Sequence, residues 1–160
     1  MWMLLPGALG FLGITLRVSY HVYYHTSYLH LKSSYTLNRL TEEIRAEDYG
    51  VDRLTFRLHT VFIWLYGWQD RLMEKIDRWS KGGKINSPEH EQLWYTDLAG
   101  LRISGLLGLG TELMLLTICS ILDNFELYLS LNILLMNGIW GGSIVYRRCV
   151  LSPRLVRAQK

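Results

Sequence analysis

The sequence has few of the residues from which enzymes and cofactor-binding proteins build their sites. Its two cysteines, Cys119 and Cys149, form neither a zinc-binding motif nor a disulfide framework. If residues 101–146 form a helical hairpin that turns near Asn124, helix rise separates the two cysteines by roughly 25–30 Å, which excludes a bond between them. The sequence also lacks internal repeats and the phosphate-binding, HExxH and CxxC motifs. We therefore expect no catalytic residue, no cofactor and no metal site.

Charge is sparse as well, and the net charge is only +3. Because the central region contains no basic cluster, we expect no nucleic-acid binding. Apolar residues concentrate at residues 1–24 and 99–146, with a polar region between them. The first apolar run has no basic leader and no small-residue cleavage site, so we expect it to be retained rather than removed as a signal peptide. This layout predicts a small integral membrane protein.

The hydropathy pattern predicts an all-α protein with three membrane helices in four regions. Residues 1–30 are expected to form a transmembrane helix with a Tyr/His-rich exit, and residues 31–98 a polar region with amphipathic helices. Residues 99–147 are expected to form a transmembrane hairpin, whose last helix ends at Tyr146, and residues 148–160 a basic tail. Five basic residues after Tyr146 favour a C-terminus on the positive side of the membrane, together with the central region.

The central region shows two amphipathic helix patterns. The first covers residues 35–48. The second has an apolar face at spacings of three and four, formed by Leu54, Leu58, Val61, Leu65, Trp68, Leu72, Ile76 and Trp79. Charged residues including Asp77 fall on the other faces, so we expect an interfacial helix or one packed in a protein groove. Gly82 is expected to cap this helix, and Ser87-Pro88 to start the next.

Small residues mark two possible helix-packing surfaces. Gly7, Gly10 and Gly13 recur every three residues in the first helix, and Gly138 and Gly142 form a GxxxG pattern in the last. Such stripes allow helices to approach closely in lipid, although tolerance of glycine in membrane helices is the simpler explanation.

Two charged residues fall within the predicted membrane helices. Arg17 is expected to extend its long side chain to the interface. Glu112 lies eleven residues before Asp123, about 16 Å from the turn and near the bilayer centre. Matching depths across the hairpin gives it Asn137 as a partner, and the simplest expectation is a protonated Glu112 that hydrogen-bonds to Asn137. The alternatives are contact with a neighbouring subunit or a proton pathway. The simplest expectation predicts a nearly silent Glu112→Gln substitution.

Histidines and tryptophans suggest two weaker possibilities. His21 and His25 lie one helical turn apart, a spacing that can hold a metal or contribute to a haem site, but an interfacial hydrogen-bonded cluster is the simpler reading. Trp64 and Trp68 on the central helix suggest either a quinone or lipid pocket or, more commonly, packing and interface anchors.

The N-terminus has a distinctive opening and exit, formed by Met1, Trp2, Leu5, Pro6, Gly7, Gly13, Tyr23, Tyr24 and His25. In these residues it resembles the MWFE subunit family of mitochondrial respiratory complex I. A second similar stretch is residues 48–53. Met3 and Leu4 stand where the family has Phe-Glu, the opening is one residue shorter, and residues after about Leu58 have no counterpart in the short members.

The resemblance implies a non-catalytic accessory subunit of an NADH:ubiquinone oxidoreductase in the mitochondrial inner membrane. Its partners would be core and accessory membrane subunits of complex I and membrane lipids, and its role would be assembly and stability. From the residues alone, only a small multi-span interaction protein follows. A structural subunit of another respiratory or secretion assembly and a small haem- or ligand-binding membrane protein stay open as alternatives.

Overall fold

The computed structural model describes residues 4–32, 53–83, 85 and 87–157. Every regular element in these ranges is a helix and none is a strand, so the all-α prediction is confirmed. The predicted helix over residues 35–48 lies outside the described residues.

Two long helices form the first half of the described fold. Helix α1 covers Leu4–Leu31 and carries Pro6 in its first turn, where a missing N–H group costs little. Helix α2 covers Arg53–Lys81 and confirms the predicted central helix. Gly82 has a φ of 64° and donates its N–H to the carbonyl of Arg78, as expected for a glycine that terminates a helix.

Three shorter helices follow, and each of the first two begins at a capped residue. Helix α3 is Pro88–Thr96, and Ser87 Oγ accepts a hydrogen bond from the His90 N–H as predicted. Helix α4 is Leu98–Gly105, capped by Asp97. Helix α5 is Leu109–Ile121. The predicted unbroken helix over 99–121 is therefore interrupted at residues 106–108.

The C-terminal helix is long and has two π-helical segments. After the turn at residues 122–124 come α6 (Phe125–Ser130), a first π segment (Leu131–Met136), α7 (Asn137–Tyr146), a second π segment (Arg147–Leu151) and α8 (Ser152–Arg157). They run without interruption and are together called the C-terminal helix. It continues beyond Tyr146, where the predicted membrane span ends, and Arg147 and Arg148 contact other elements.

Side-chain contacts define how the helices lie together. Tyr146 contacts Asp97, and Asn132 contacts Glu112, so earlier residues of the C-terminal helix meet later residues of the preceding helices. Helix α1 packs against the C-terminal helix, against the preceding helices α4 and α5, and against α2. Ser19 contacts Gln69 and Tyr24 contacts Asp77, so α1 and α2 run in the same general direction.

Polar residues face inward, and much of the apolar surface faces outward. Among the described residues, those that are buried include as many polar or charged as apolar side chains. On α2, the buried residues Gln69, Met73, Asp77 and Ser80 form the face that packs against the protein. The predicted apolar face of this helix is largely exposed, with Leu58 62% and Trp79 54% exposed, whereas Leu72 and Ile76 pack against the core.

Two helices in the described part of the chain are long and apolar enough to cross a membrane. They are Leu98–Ile121, in which the break at residues 106–108 is included, and the C-terminal helix. Helix α1 does not belong to this pair, although its first thirteen residues are almost entirely apolar.

Candidate functional site

The deepest polar site joins α1 to the helices that follow the central region. It consists of Arg17, Glu112, Asn132 and Asn137 and is called the Arg17 cluster. Arg17 is fully buried, and Glu112 is only 2% exposed. The Arg17 Nε donates to Glu112 Oε1 at 3.0 Å, and Arg17 Nη2 donates to the same oxygen. The second carboxylate oxygen accepts from Asn132 Nδ2 at 2.8 Å.

The remaining guanidinium nitrogen of Arg17 is held by the C-terminal helix. Arg17 Nη1 donates to the backbone carbonyl of Asn132 at 3.1 Å and to Asn137 Oδ1 at 2.6 Å. Asn132 lies in the first π segment, where the changed backbone hydrogen-bond pattern makes a carbonyl available to a side chain. Three parts of the chain that are far apart in sequence therefore meet at one guanidinium group.

Two sequence expectations about these residues are wrong. Arg17 does not extend to an interface, because an internal carboxylate and two asparagines satisfy it where it lies. Glu112 does not bond to Asn137 directly, although both belong to the cluster, because Arg17 lies between them. Glu112 accepts hydrogen bonds from a buried guanidinium and an amide, so Glu112→Gln, which weakens its pairing with Arg17, is now expected to destabilise the protein rather than to be silent.

Glycines create the space for this cluster on α1. A Cβ atom on Gly13 would lie 2.8 Å from Arg17 Nη1, and one on Gly10 would lie 3.2 Å from Asn132 Oδ1. Gly10 and Gly13 thus pack against groups of the chain itself. A Cβ on Gly7, Gly138 or Gly142 would meet nothing within 4 Å, so a packing role for these three glycines stays a prediction about a partner.

A second polar site lies where α1, α2 and α3 meet. It is called the Asp77 cluster and consists of Tyr24, Asp77, Lys81, Trp94 and Tyr95. Asp77 is 2% exposed, and four donors surround its carboxylate. Oδ1 accepts from the Tyr24 hydroxyl at 2.9 Å and from Trp94 Nε1 at 2.8 Å. Oδ2 accepts from the Tyr95 hydroxyl at 2.9 Å and pairs with Lys81 Nζ at 2.9 Å.

The charge of Asp77 shifts the ionisation of its neighbours. Burial by itself lowers the pKa of Lys81, but attraction to Asp77 and to Glu91 outweighs this effect and raises that pKa above its ordinary value. Burial, followed by the nearby negative charge of Asp77, raises the pKa of Tyr95. The cluster therefore keeps Lys81 charged and Tyr95 neutral over a wide pH range.

Arg147 adds a second buried guanidinium beside the Asp77 cluster. It is fully buried, lies 3.5 Å from the centre of the Tyr24 ring and donates to the backbone carbonyl of Trp94 at 3.3 Å. A Cβ on Gly100 would lie 3.0 Å from Arg147 Nη2, so glycine permits this close approach.

The predicted metal, haem and ligand candidates are less organised. The rings of His21 and His25 are neighbours, with centroids 5.6 Å apart. In the described ranges, no group of three or more His, Cys, Asp or Glu side chains has an arrangement that holds a metal ion. Trp64 is 79% and Trp68 is 40% exposed, so these rings lie on the surface of α2 rather than inside a pocket.

Sequence reasoning missed Asp77, Asn132 and Arg147. Asp77 was noted only among the charges that lie off the apolar face of α2, and Arg147 only among the basic residues that follow the last apolar span. A signal was present on α2, because Gln69, Met73, Asp77 and Ser80 follow helical spacing. In a protein with an apolar exterior, such a polar stripe marks the inward face.

Comparisons with protein-family models, curated proteins and solved structures found no match to this chain.

Proposed function

We propose that this chain is a non-catalytic, multi-pass membrane subunit whose work is to pack against larger membrane proteins. The observation that carries the proposal is the distribution of polarity, with buried charged side chains inside and large apolar side chains outside. In water this arrangement exposes extensive apolar surface, whereas lipid or a membrane partner covers it.

In the proposed membrane placement, the two apolar helices form a transmembrane hairpin and α1 lies beside it. Glu112 is then about 16 Å from the turn, close to the middle of a hydrocarbon core about 30 Å thick. The pairing with Arg17 supports this depth, because charged groups at such depth pair with one another inside the bundle. The end that carries the Asp77 cluster and the C-terminal basic residues would face the positive side, which is the matrix in a mitochondrion.

Partner contacts are proposed for the surfaces that the chain leaves uncovered. Gly7 on α1 and Gly138 and Gly142 on α7 have open space at the Cβ position. Glycine at such positions allows another helix to approach its backbone closely. The outward apolar face of α2, including Leu54 and Trp64, offers further area for lipid or a partner.

The assembly that we propose is mitochondrial respiratory complex I, in the inner membrane. The support is the resemblance of Met1-Trp2, Leu5-Pro6-Gly7 and Tyr23-Tyr24-His25 to the MWFE family. In this role, the chain stabilises the membrane arm through core and accessory subunits and carries out no step of electron transfer.

The test is native electrophoresis of mildly solubilised membranes, followed by mass spectrometry of the band with NADH dehydrogenase activity. The proposal predicts near-stoichiometric amounts of the chain in that band. A band of different composition would contradict the complex I assignment and identify the actual assembly, including a different respiratory or secretion complex, to which the same polarity distribution is suited.

A pair of glycine variants tests the packing surface. Gly138→Leu is expected to remove the chain from its assembly while the purified chain keeps its stability within about 0.5 kcal/mol, because the site is open in the isolated chain. Gly110→Leu is the matched control, since Gly110 is equally uncovered but lies outside both glycine motifs. Equal co-migration of both variants would contradict a packing role for Gly138.

A further inference from the structure

A line of polar side chains connects the Arg17 cluster to the Asp77 cluster through the interior of the bundle. Helix α1 contributes Arg17, Tyr20 and Tyr24, all of which are buried. The C-terminal helix contributes Asn132, Asn137, Trp140, Ser143 and Arg147. The Tyr20 hydroxyl and Ser143 Oγ are 3.1 Å apart, so the two helices also bond between the clusters. This line is called the polar column.

Buried polar atoms without a protein partner recur along the polar column. Among the described residues, Asn132 Oδ1, Trp140 Nε1, Arg147 Nε and Arg147 Nη2 make no hydrogen bond, although other atoms of Asn132 and Arg147 do. These three residues are spaced by eight and seven positions, so they lie on one side of the C-terminal helix at intervals of about 10–12 Å. His21 Nδ1 is also unpartnered, but His21 packs against Gly108 and stands apart from this line.

Such atoms are costly to leave unpaired. A buried donor or acceptor that has lost its hydrogen bond costs about 1–3 kcal/mol, and more when the group is charged. Buried water molecules typically satisfy polar groups of this kind, and each makes about three hydrogen bonds. The Arg147 guanidinium has two free nitrogens, which is a strong requirement for an oxygen acceptor.

We propose that ordered water molecules bind along the polar column and hydrate a path from the Arg17–Glu112 pair to the protein surface at Lys81 and Glu91. The surface end is defined by Lys81, which is 13% exposed and contacts both the buried Asp77 and the 54% exposed Glu91. The two π segments place Asn132 and Arg147 at the deep and shallow ends of the path. Single-turn π segments are frequent at functional sites.

The function of the polar column is to give one side of the membrane access to a buried ion pair. Water at Asn132 and Trp140 lowers the cost of holding Arg17 and Glu112 in a low-dielectric interior. It also lets protons on the guanidinium and indole N–H groups exchange with the solvent at the Lys81 end. This access does not depend on which assembly the chain joins.

The test uses the full chain, with ¹⁵N in tryptophan and arginine, in lipid vesicles. Solid-state NMR measures magnetisation transfer from water to individual N–H groups. The backbone N–H of Trp140 provides a control inside the same residue, because it lies within helix α7 whereas the indole Nε1 has no protein partner. The Trp94 indole, which is bonded to Asp77, reports on the surface end of the column. The Trp94→Phe and Trp140→Phe variants assign the two indole signals.

The proposal predicts transfer to the Trp140 indole and the Arg147 guanidinium N–H groups at least threefold faster than to the Trp140 backbone N–H. If the two side-chain signals build up as slowly as the Trp140 backbone signal, the column is dry and the proposal is overturned. Fast transfer to Arg147 with slow transfer to Trp140 overturns the continuous path, because water then stops at the surface end. These three outcomes can still be interpreted if the native-electrophoresis test fails, because they do not depend on which assembly the chain joins.

Discussion

The Arg17 and Asp77 clusters both bury a carboxylate, but they stabilise it in different ways. Glu112 faces a fully buried cation and an amide, so its charge is balanced mainly by Arg17. Asp77 accepts three hydrogen bonds from neutral aromatic side chains, and its cation, Lys81, also reaches the surface acid Glu91. The deep site thus depends on one ion pair, while the site near the surface spreads its interactions over several donors.

This difference bears on how each site holds the fold together. Removing one member of a buried ion pair leaves an uncompensated charge. Removing one contact from a carboxylate with several donors leaves the others in place. The Arg17 cluster should therefore be the more sensitive of the two, although both join three parts of the chain.

The largest effect is expected for Glu112→Leu. This substitution leaves the Arg17 guanidinium buried without a counter-ion, so the free energy of unfolding should fall by about 3–5 kcal/mol. Denaturant titration of the purified chain in lipid–detergent bicelles measures the loss. A loss below about 1 kcal/mol would show that Arg17 finds another partner and would contradict the dependence of the deep site on one pair.

A smaller effect is expected for Asp77→Ala, because Glu91 remains as a partner for Lys81 and water can enter beside this partly exposed side chain. The Trp94, Tyr24 and Tyr95 donors lose their shared acceptor at about 1–3 kcal/mol for each donor left unpaired, so the loss stays below that of Glu112→Leu when water satisfies two of the three. Glu74→Ala on the same helix is the matched control, because Glu74 makes an exposed pair with Arg78 worth at most about 1 kcal/mol. If the two variants lose equal unfolding free energy in the same titration, a buried acid on α2 contributes no more than an exposed one, which would contradict the prediction.

The smallest effect appears in alkaline solution and tests the Asp77 cluster through Lys81 and Tyr95. The folded-state pKa values of Tyr95 and Lys81 are both raised, so the stability that they contribute is complete below pH 10 and is lost as the pH rises above it. Unfolding free energies measured from pH 7 to 11 should be flat at first and then fall. In Asp77→Ala this alkaline fall should be weaker, and an unchanged fall would assign it to other groups.

Local signals in the sequence were sufficient for several elements. The spacing of apolar residues predicted α2, Ser87-Pro88 predicted the start of α3, and Gly82 predicted the end of α2, because each depends on neighbouring residues only. The GxxxG and Ser-Pro patterns likewise need no knowledge of the rest of the fold to be recognised. These patterns do not show which other residues the predicted elements contact.

Long-range partners were not predictable in the same way. Arg17 and Glu112 are 95 residues apart, and depth matching within the predicted hairpin named Asn137, which bonds to Arg17 rather than to Glu112, but did not include α1. The apolar pattern of α2 did not identify the face that packs against the protein, because the residues that form this face, including Gln69 and Asp77, are largely polar and do not appear in an apolar periodicity.

A double-substitution cycle on Arg17 and Glu112 most directly tests the central claim that this pair holds α1 against the other apolar helices. Arg17→Met, Glu112→Leu and the combined variant should be compared by the same bicelle titration. Because replacing both charges by apolar groups removes the uncompensated charge, the combined variant is expected to be more stable than either single variant. If the two losses simply add, the side chains act independently, and the pair does not hold the helices together.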